Sequence, residues 1–382
     1  MLSLLYIFAL VLSFLAFVNA QLPGNWPPVD KPPPVNDEWT KLVDMSQVPK
    51  APISKVAGDC GATDNFCNWS CTTCVRTNTT DIIQCPGKTD WGLSFDDGPT
   101  EFTPPLLDYL NSQNVKLTFF VIGSRVIENP DTLKNEFAAG HQIGVHTWSH
   151  TALTTQSNEE IIAEIKWTEL AIKTAIGVTP KYMRPPYGDV DDRVRSILSQ
   201  LGYKIVIWDK DTNDWMSGED KNFQVSWVEG NFTEWVKEDD PTGHISLEHD
   251  LYKPSAEQGP LVVPIVQGAG FTIKPVAQCV GDTQPYLEST NTGTTDTTTG
   301  STTNSTTGPT TDTTTGSTTD TTAGSTTDTN SVVADGTQNL EPSSVVATSP
   351  TATTTSSAIS HINNNNYLLS FVLFILGYFM VI

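Results

Sequence analysis

The chain has 382 residues, 43 acidic and 21 basic, with a formal net charge of −22 at pH 7. Such a balance argues against nucleic acid as a partner, because phosphates would repel it, and leaves a solvated surface as the plainest use of the charge. Hydrophobic residues make up 38 % of the chain, but they are spread unevenly, and only the middle has a globular composition.

Residues 1–20, MLSLLYIFALVLSFLAFVNA, are almost wholly apolar and close on Val-Asn-Ala, which suits signal peptidase and predicts a secretory signal peptide. Residues 21–56 are rich in proline and predict an extended linker. Residues 57–87 carry Cys60, Cys67, Cys71, Cys74 and Cys85, and the sixth cysteine is Cys279. In an exported chain these predict three disulfides, so one of the clustered five must reach Cys279, and the pairing is otherwise open. Cys71-Thr-Thr-Cys74 lacks the second such pair that a zinc site needs. The segment is expected to form a disulfide-stapled cap. Sequons at Asn68, Asn78, Asn231 and Asn304 predict N-glycosylation.

Residues 88–280 read as one domain. WGLSF (91–95) is an apolar strand, and PLLDYLNSQ a helix. KLTFFVIG (116–123) is the next strand, followed by a helix near 130–139 and the strand HQIGVHT (141–147). Ile161, Ile165, Ile172 and Ile176 share one face of a long helix over 158–176. KYMRPP (181–186), a helix at 190–201, YKIVIWD (203–209), HISLEHD (244–250) and FTIKPV (271–276) continue the alternation. Short apolar strands alternating with helices imply parallel strands with helices outside, and the regular beat suits a closed β/α barrel better than an open sheet. In such barrels chemistry collects where strands end.

From 281 to 357 the chain becomes Thr, Ser, Gly and Asp with near-repeats, too polar to fold alone, and predicts a disordered, O-glycosylated stalk. Residues 358–382 hold the polar spacer ISHINNNN and the apolar run YLLSFVLFILGYFMVI. With the small residues Ser356-Ser357-Ala358 they predict a GPI-attachment signal, Ser356 being the attachment site. The expectation is a secreted monomer that meets the membrane only through a GPI lipid, at the cell membrane or wall.

The polar residues of the central domain fall just after the apolar runs. His146 and His150 stand at a spacing that lets two imidazoles converge on one ion, although a chance pair on a polar loop would look the same. Two histidines need a third ligand, and a hydrolase needs a base; Thr147 occupies the place that zincins give to a glutamate. Asp96-Asp97 before Gly98-Pro99 meets both needs if the turn swings both carboxylates into one pocket. Taken alone, the pair is as well read as a turn device. His141 and His244 begin strands and have a structural or solvated reading; Trp208 reads as core, and Asp211 either as a loop cap or as part of the site.

SFDDGP, HTWSH, RPPY (184–187), DTNDW (211–215) and LEH (247–249), in that order and spacing, resemble the five motifs of the polysaccharide deacetylases of carbohydrate esterase family 4, the NodB-homology domain. The resemblance covers about half of the chain and implies a distorted (β/α) barrel. It implies Asp96 as general base, also touching the product acetate, and Asp97, His146 and His150 as ligands of one divalent ion, zinc or else cobalt. Arg184 would hold the base and the Tyr187 N–H the oxyanion and acetate. Asp214 would orient the general acid His249, with Trp215 and Leu247 walling the acetyl pocket. Ser94 stands where threonine is usual. With the exported, cysteine-capped, tail-anchored layout, the chain resembles fungal cell-wall chitin deacetylases, implying conversion of chitin or chito-oligosaccharides to chitosan and acetate. Peptidoglycan amino sugars and acetyl-xylan are rival substrates. A two-histidine, one-carboxylate iron oxygenase would leave Asp96, Arg184 and His249 without a use, as would a wall mannoprotein that only binds glycan.

Overall fold

The computed structural model describes residues 21–288 other than 60, 62 and 78–80. The signal peptide, most of the stalk, the GPI segment with Ser356, and Cys60, Asn78 and Asn304 lie outside the described residues. Among those described, no helix is long and apolar enough to cross a membrane.

Among the described residues, nine strands form one sheet: β1 (Asp81–Ile82), β2 (Asp90–Asp96), β3 (Thr118–Val121), β4 (Gln142–Val145), β5 (Tyr182–Met183), β6 (Lys204–Val206), β7 (Lys210–Asp211), β8 (His244–His249) and β9 (Thr272–Ile273). All pair in parallel, in the order β1-β6-β5-β4-β3-β2-β8-β7, with β9 beside the start of β2. Among the described residues, no ladder joins the edge strands β1 and β7. Instead one segment, 204–211, pairs with β5 and β1 where it begins and with β8 where it ends, as the Ile207 N–H donates to the Ile82 carbonyl and the Asp209 N–H to that of Ile245. The sheet curls into a barrel with this uneven seam, a distortion that strand spacing does not reveal. Strands β3, β4 and β8 are buried throughout, as parallel strands covered on both faces must be, which is why they read as continuous apolar runs.

Helices α1 (Thr103–Ser112), α2 (Gly123–Glu128), α3 (Pro130–Ala138), α4 (Asn158–Ile176), α5 (Asp192–Gln200), α6 (Ser226–Trp235) and α7 (Gly259–Gly268) cover the outside, with shorter helical turns between. α4 starts on a capping box of Ser157 and Glu160 and stops at Gly177, whose φ of 79° is the left-handed conformation a helix end commonly takes. It buries Ile161, Ile165 and Ile172 against the sheet; Ile176 is half-buried.

Three expectations need correction. Residues 21–56 are not an extended linker: Leu22, Val43 and Val48 are buried, and the indoles of Trp148 and Trp167 donate to the carbonyls of Pro28 and Pro34 at 3.0 Å each. Prolines cannot donate, but their carbonyls accept, so a proline-rich strap can be sewn down by tryptophans. The barrel domain is longer than 88–280. It includes β1, and at its end Tyr286 is 6 % exposed, with its hydroxyl accepting from Ile143 N–H, while Asp282 pairs with Lys204 at 2.7 Å. The start of the segment expected as stalk is therefore packed. Finally, Asn68 is 4 % exposed and its side chain caps a helical turn through Ser70 N–H, burying the amide that a glycan would need; Asn231 is half-buried on α6.

Two bridges are described. Cys67–Cys74 closes the turn Trp69–Thr72, and Cys85–Cys279 ties the start of the barrel to its end, as the count of cysteines required. Cys71 is also disulfide-bonded. The cap sits on α5 through Arg195, which donates to the Cys67 and Cys74 carbonyls and pairs with Asp81.

Candidate active site

Five loops at the C-terminal ends of the strands meet around a cavity of about 550 Å³. Each carries a non-glycine residue in the left-handed backbone region or ends directly in a polar group. Asp97 (φ 78°) follows β2, Thr147 (64°) and His150 (58°) follow β4, Tyr187 (60°) follows β5 and Asn213 (53°) follows β7. Such conformations cost about 1–3 kcal/mol each and gather where a site demands a particular side-chain direction. At Asp97 the left-handed turn brings its carboxylate into the same pocket as that of Asp96, which strand geometry alone would point the other way.

Asp97 Oδ1 lies 3.3 Å from His146 Nε2 and 3.2 Å from His150 Nε2. These three residues are a metal-compatible cluster, all their donor atoms within 4.8 Å of one another. Whether they fit a cation can be read from proton placement. His146 Nδ1 lies 2.7 Å from the Arg184 carbonyl, an acceptor, so Nδ1 is the donor there and Nε2 is the ring nitrogen turned towards Asp97 and placed to ligate. Burial holds His150 down, to about 4, despite the Asp97 charge, so it is neutral at pH 7. Burial alone would raise Asp97, but His150, His146 and His249 around it hold it well below the ordinary carboxylate range. Its Oδ1 is buried with no hydrogen-bond partner. Lone pairs converging on an orphaned carboxylate oxygen suit a divalent cation and little else.

Asp96 divides its two oxygens. Oδ1 accepts from Arg184 Nη1 at 2.9 Å, while Oδ2 faces the cluster, 3.7 Å from His146 Nε2. Arg184 is fully buried, lies over the Phe120 ring at 4.4 Å and also donates to Ser94 Oγ at 2.8 Å. Ser94 Oγ donates in turn to the Ser246 carbonyl at 2.6 Å, so the hydroxyl at this motif position keeps the guanidinium in register. On β8, His249 Nδ1 is 2.6 Å from Asp214 Oδ1, and the His249 N–H donates to Asp214 Oδ2 at 2.8 Å. Burial opposes a charged His249, yet the Asp214 charge and hydrogen bond, with Asp97 and Asp96 beyond, raise it to about 10. Tyr187 packs its ring edge-on against His150 at 4.7 Å, and its backbone N–H has no hydrogen-bond partner among the described residues. Leu247 and Trp215 line the same cavity.

Every expected ligand, acid, base and pocket residue thus falls in one place. His141 and His244 are buried at strand starts away from it, His244 held by Asp209 at 2.6 Å. Asp211 caps its loop, accepting from Asn213 N–H and from Trp208 Nε1, and it also lines the cavity. Two contributors had no sequence signal. Glu164 on α4 is buried and accepts from the backbone N–H groups of Trp148 (2.7 Å) and Ser149 (2.9 Å), fixing the loop between the two histidines. Trp69, from the cap, lines the cavity beside Trp208.

A protein-family model described as polysaccharide deacetylase matches residues 83–206. Chitin deacetylase 1 of Cryptococcus neoformans var. grubii is 43 % identical over 298 residues, covering 71 % of this chain and 62 % of the relative. Chitin deacetylase 1 of Saccharomyces cerevisiae is 33 % identical over 266 residues, covering 69 % of this chain and 82 % of the relative. The match to the chitin deacetylase of Amylomyces rouxii spans 55 % of that relative, so the chain spans little more than half the length of some curated relatives it matches. Among solved structures, the chitin deacetylase from the fungal pathogen Colletotrichum lindemuthianum superposes with a TM-score of 0.50 at 32 % identity, covering 54 % of this chain and 95 % of the other.

Proposed function

The chain belongs to the polysaccharide deacetylase family, and from that premise we propose that it hydrolyses the N-acetyl groups of N-acetylglucosamine units in chitin, yielding chitosan and acetate. The observation that carries the reading is the meeting, in one cavity, of a two-histidine, one-aspartate donor set with an arginine-held aspartate and an aspartate-held histidine. The relatives' activity on chitin and the expected export to the cell surface both favour chitin over other acetylated glycans. Attachment through Ser356, glycosylation at sequons other than Asn68 and a monomeric state belong to the same proposal.

Asp97, His146 and His150 would hold a divalent ion, and their donor set suits zinc first and cobalt second. When bound, such an ion supplies polarisation of the amide carbonyl and a lower pKa for the attacking water. Asp96 accepts the proton of that water on Oδ2, the oxygen its arginine leaves free. Arg184 keeps Asp96 anionic and aimed through a charge-assisted hydrogen bond. As water oxygen bonds to the carbonyl carbon, charge grows on the carbonyl oxygen, where the unpaired Tyr187 N–H can donate. The carbon–nitrogen bond then breaks, and protonated His249 gives its proton to the leaving amine, so acetate and a free amino sugar result. Leu247 and Trp215 enclose the methyl group and exclude solvent from it.

Asp96→Asn tests the roles without removing a ligand. Acetate release is expected to fall by two orders of magnitude or more, roughly the contribution of a positioned acid–base group, while bound metal stays at the wild-type level. Activity that survives the substitution would remove Asp96 as the base. Metal lost with the activity would place Asp96 among the ligands instead.

A further inference from the structure

The cavity is lined by aromatic rings from separate stretches of chain: Trp69, Tyr187, Trp208, Trp215 and Tyr252. All but Trp69 lie in the barrel domain; Trp69 comes from the cap, on the helical turn that the Cys67–Cys74 bridge closes. We propose that the cap is part of the substrate cleft, with the Trp69 indole serving as a platform for a sugar ring next to the one that loses its acetyl group. This inference rests on the glycan reading of the site given above.

The indole is held in place. Its ring packs edge-on against Trp208, centroids 4.6 Å apart, and lies over Gly188, where a Cβ would come within 2.2 Å of it. Gly188, at φ 63°, directly follows Tyr187, so the residue that permits the indole's approach is next to one that lines the site. The Trp69 N–H donates to the Val190 carbonyl at 3.1 Å and pins the turn to the same loop.

Tryptophans that only fill this core behave differently. Trp91 and Trp148 are fully buried, and their indole N–H groups donate to Ser246 Oγ and the Pro28 carbonyl. Trp69 is half-buried, and its Nε1 has no hydrogen-bond partner among the described residues. An indole on a cavity wall with a spare donor matches a β-linked pyranose, which presents C–H groups on its faces and hydroxyls around its rim. The reach of such a platform predicts a preference for longer oligomers.

The test compares full-length, metal-loaded wild type with Trp69→Leu and Trp69→Phe on the pentamer and dimer of β-1,4-linked N-acetylglucosamine. Trp69→Leu keeps bulk over Gly188 without an aromatic face, and Trp69→Phe keeps a smaller face. Trp69→Leu is expected to raise KM for the pentamer about tenfold, a modest binding difference, with a smaller rise for the dimer and kcat within about twofold. Trp69→Phe should fall between. Equal KM changes on both oligomers, or a loss confined to kcat, would overturn the platform. Calorimetric binding of the pentamer to the Asp96→Asn protein, with and without Trp69→Leu, separates this idea from the proposed reaction. If wild type releases no acetate from any oligomer, the substrate reading fails, and the calorimetry still judges Trp69. Pentamer affinity weakened by Trp69→Leu supports the platform; unchanged affinity, or no binding at all, overturns it.

Discussion

Asp96 and Asp97 are neighbours in the chain, yet they meet different partners: an arginine and the open cavity for one, two imidazoles for the other. The left-handed turn at Asp97 is what makes that division possible. His249 and Asp214 form the second tuned pair. In the proposed role of general acid, His249 works only while protonated, and a value raised to about 10 keeps it competent through neutral pH. The alkaline limb of kcat/KM is therefore expected only as pH nears that value, and Asp214→Asn should move the limb to lower pH by about one unit or more. A pH–rate profile checks this, and an unmoved limb would mean that another group titrates there. The pair also bears on stability. A histidine whose folded value is raised contributes fully below its ordinary value, near 6.5, and its contribution is lost as pH climbs through about 10.

Helix α4 shows how an outer element serves the site through one buried side chain. Glu164 takes the two backbone N–H groups of Trp148 and Ser149 and also accepts from Ser149 Oγ and Gln156, so the loop carrying His146 and His150 hangs from one buried carboxylate. Burial raises its pKa, although these hydrogen bonds oppose the shift. Glu164→Gln would replace an acceptor by a donor facing N–H groups. Metal affinity is expected to fall about 10–100-fold, the usual penalty for disturbing a ligand's support, and competition with a chromogenic chelator would measure it. Strands β2 to β6, β8 and β9, with helices α1, α3, α4 and α5, were legible in order because parallel strands buried on both faces leave short apolar runs, and the polar exceptions fell at their ends; β1, β7, α2, α6 and α7 were not. Glu164 was not legible: in sequence it is one more acid on a helix, and only the packing of α4 against the histidine loop gives it a partner. Trp69 was hidden for the same reason, since its neighbour Gly188 is distant in the chain. The strap at 21–56 misled because proline signals the absence of ladders, and says nothing of carbonyls that accept from Trp148 and Trp167.

Across the whole molecule, the barrel, the cap and the strap act as one folded unit. The Cys85–Cys279 bridge joins residues 194 positions apart, spanning nearly the whole barrel. Replacing both cysteines by alanine is expected to lower unfolding free energy by about 2–5 kcal/mol, read as a lower thermal midpoint, while the Asp97, His146 and His150 donor set, held by other loops, stays in place. An unchanged midpoint would show that the sheet seam at 204–211 already holds the barrel ends together. The account stands or falls on acetate. Purified, metal-loaded protein should release it from N-acetylglucosamine oligomers, stop when a chelator removes the metal, and resume when zinc is restored. No release from these oligomers, with release from acetyl-xylan or peptidoglycan in its place, would contradict it.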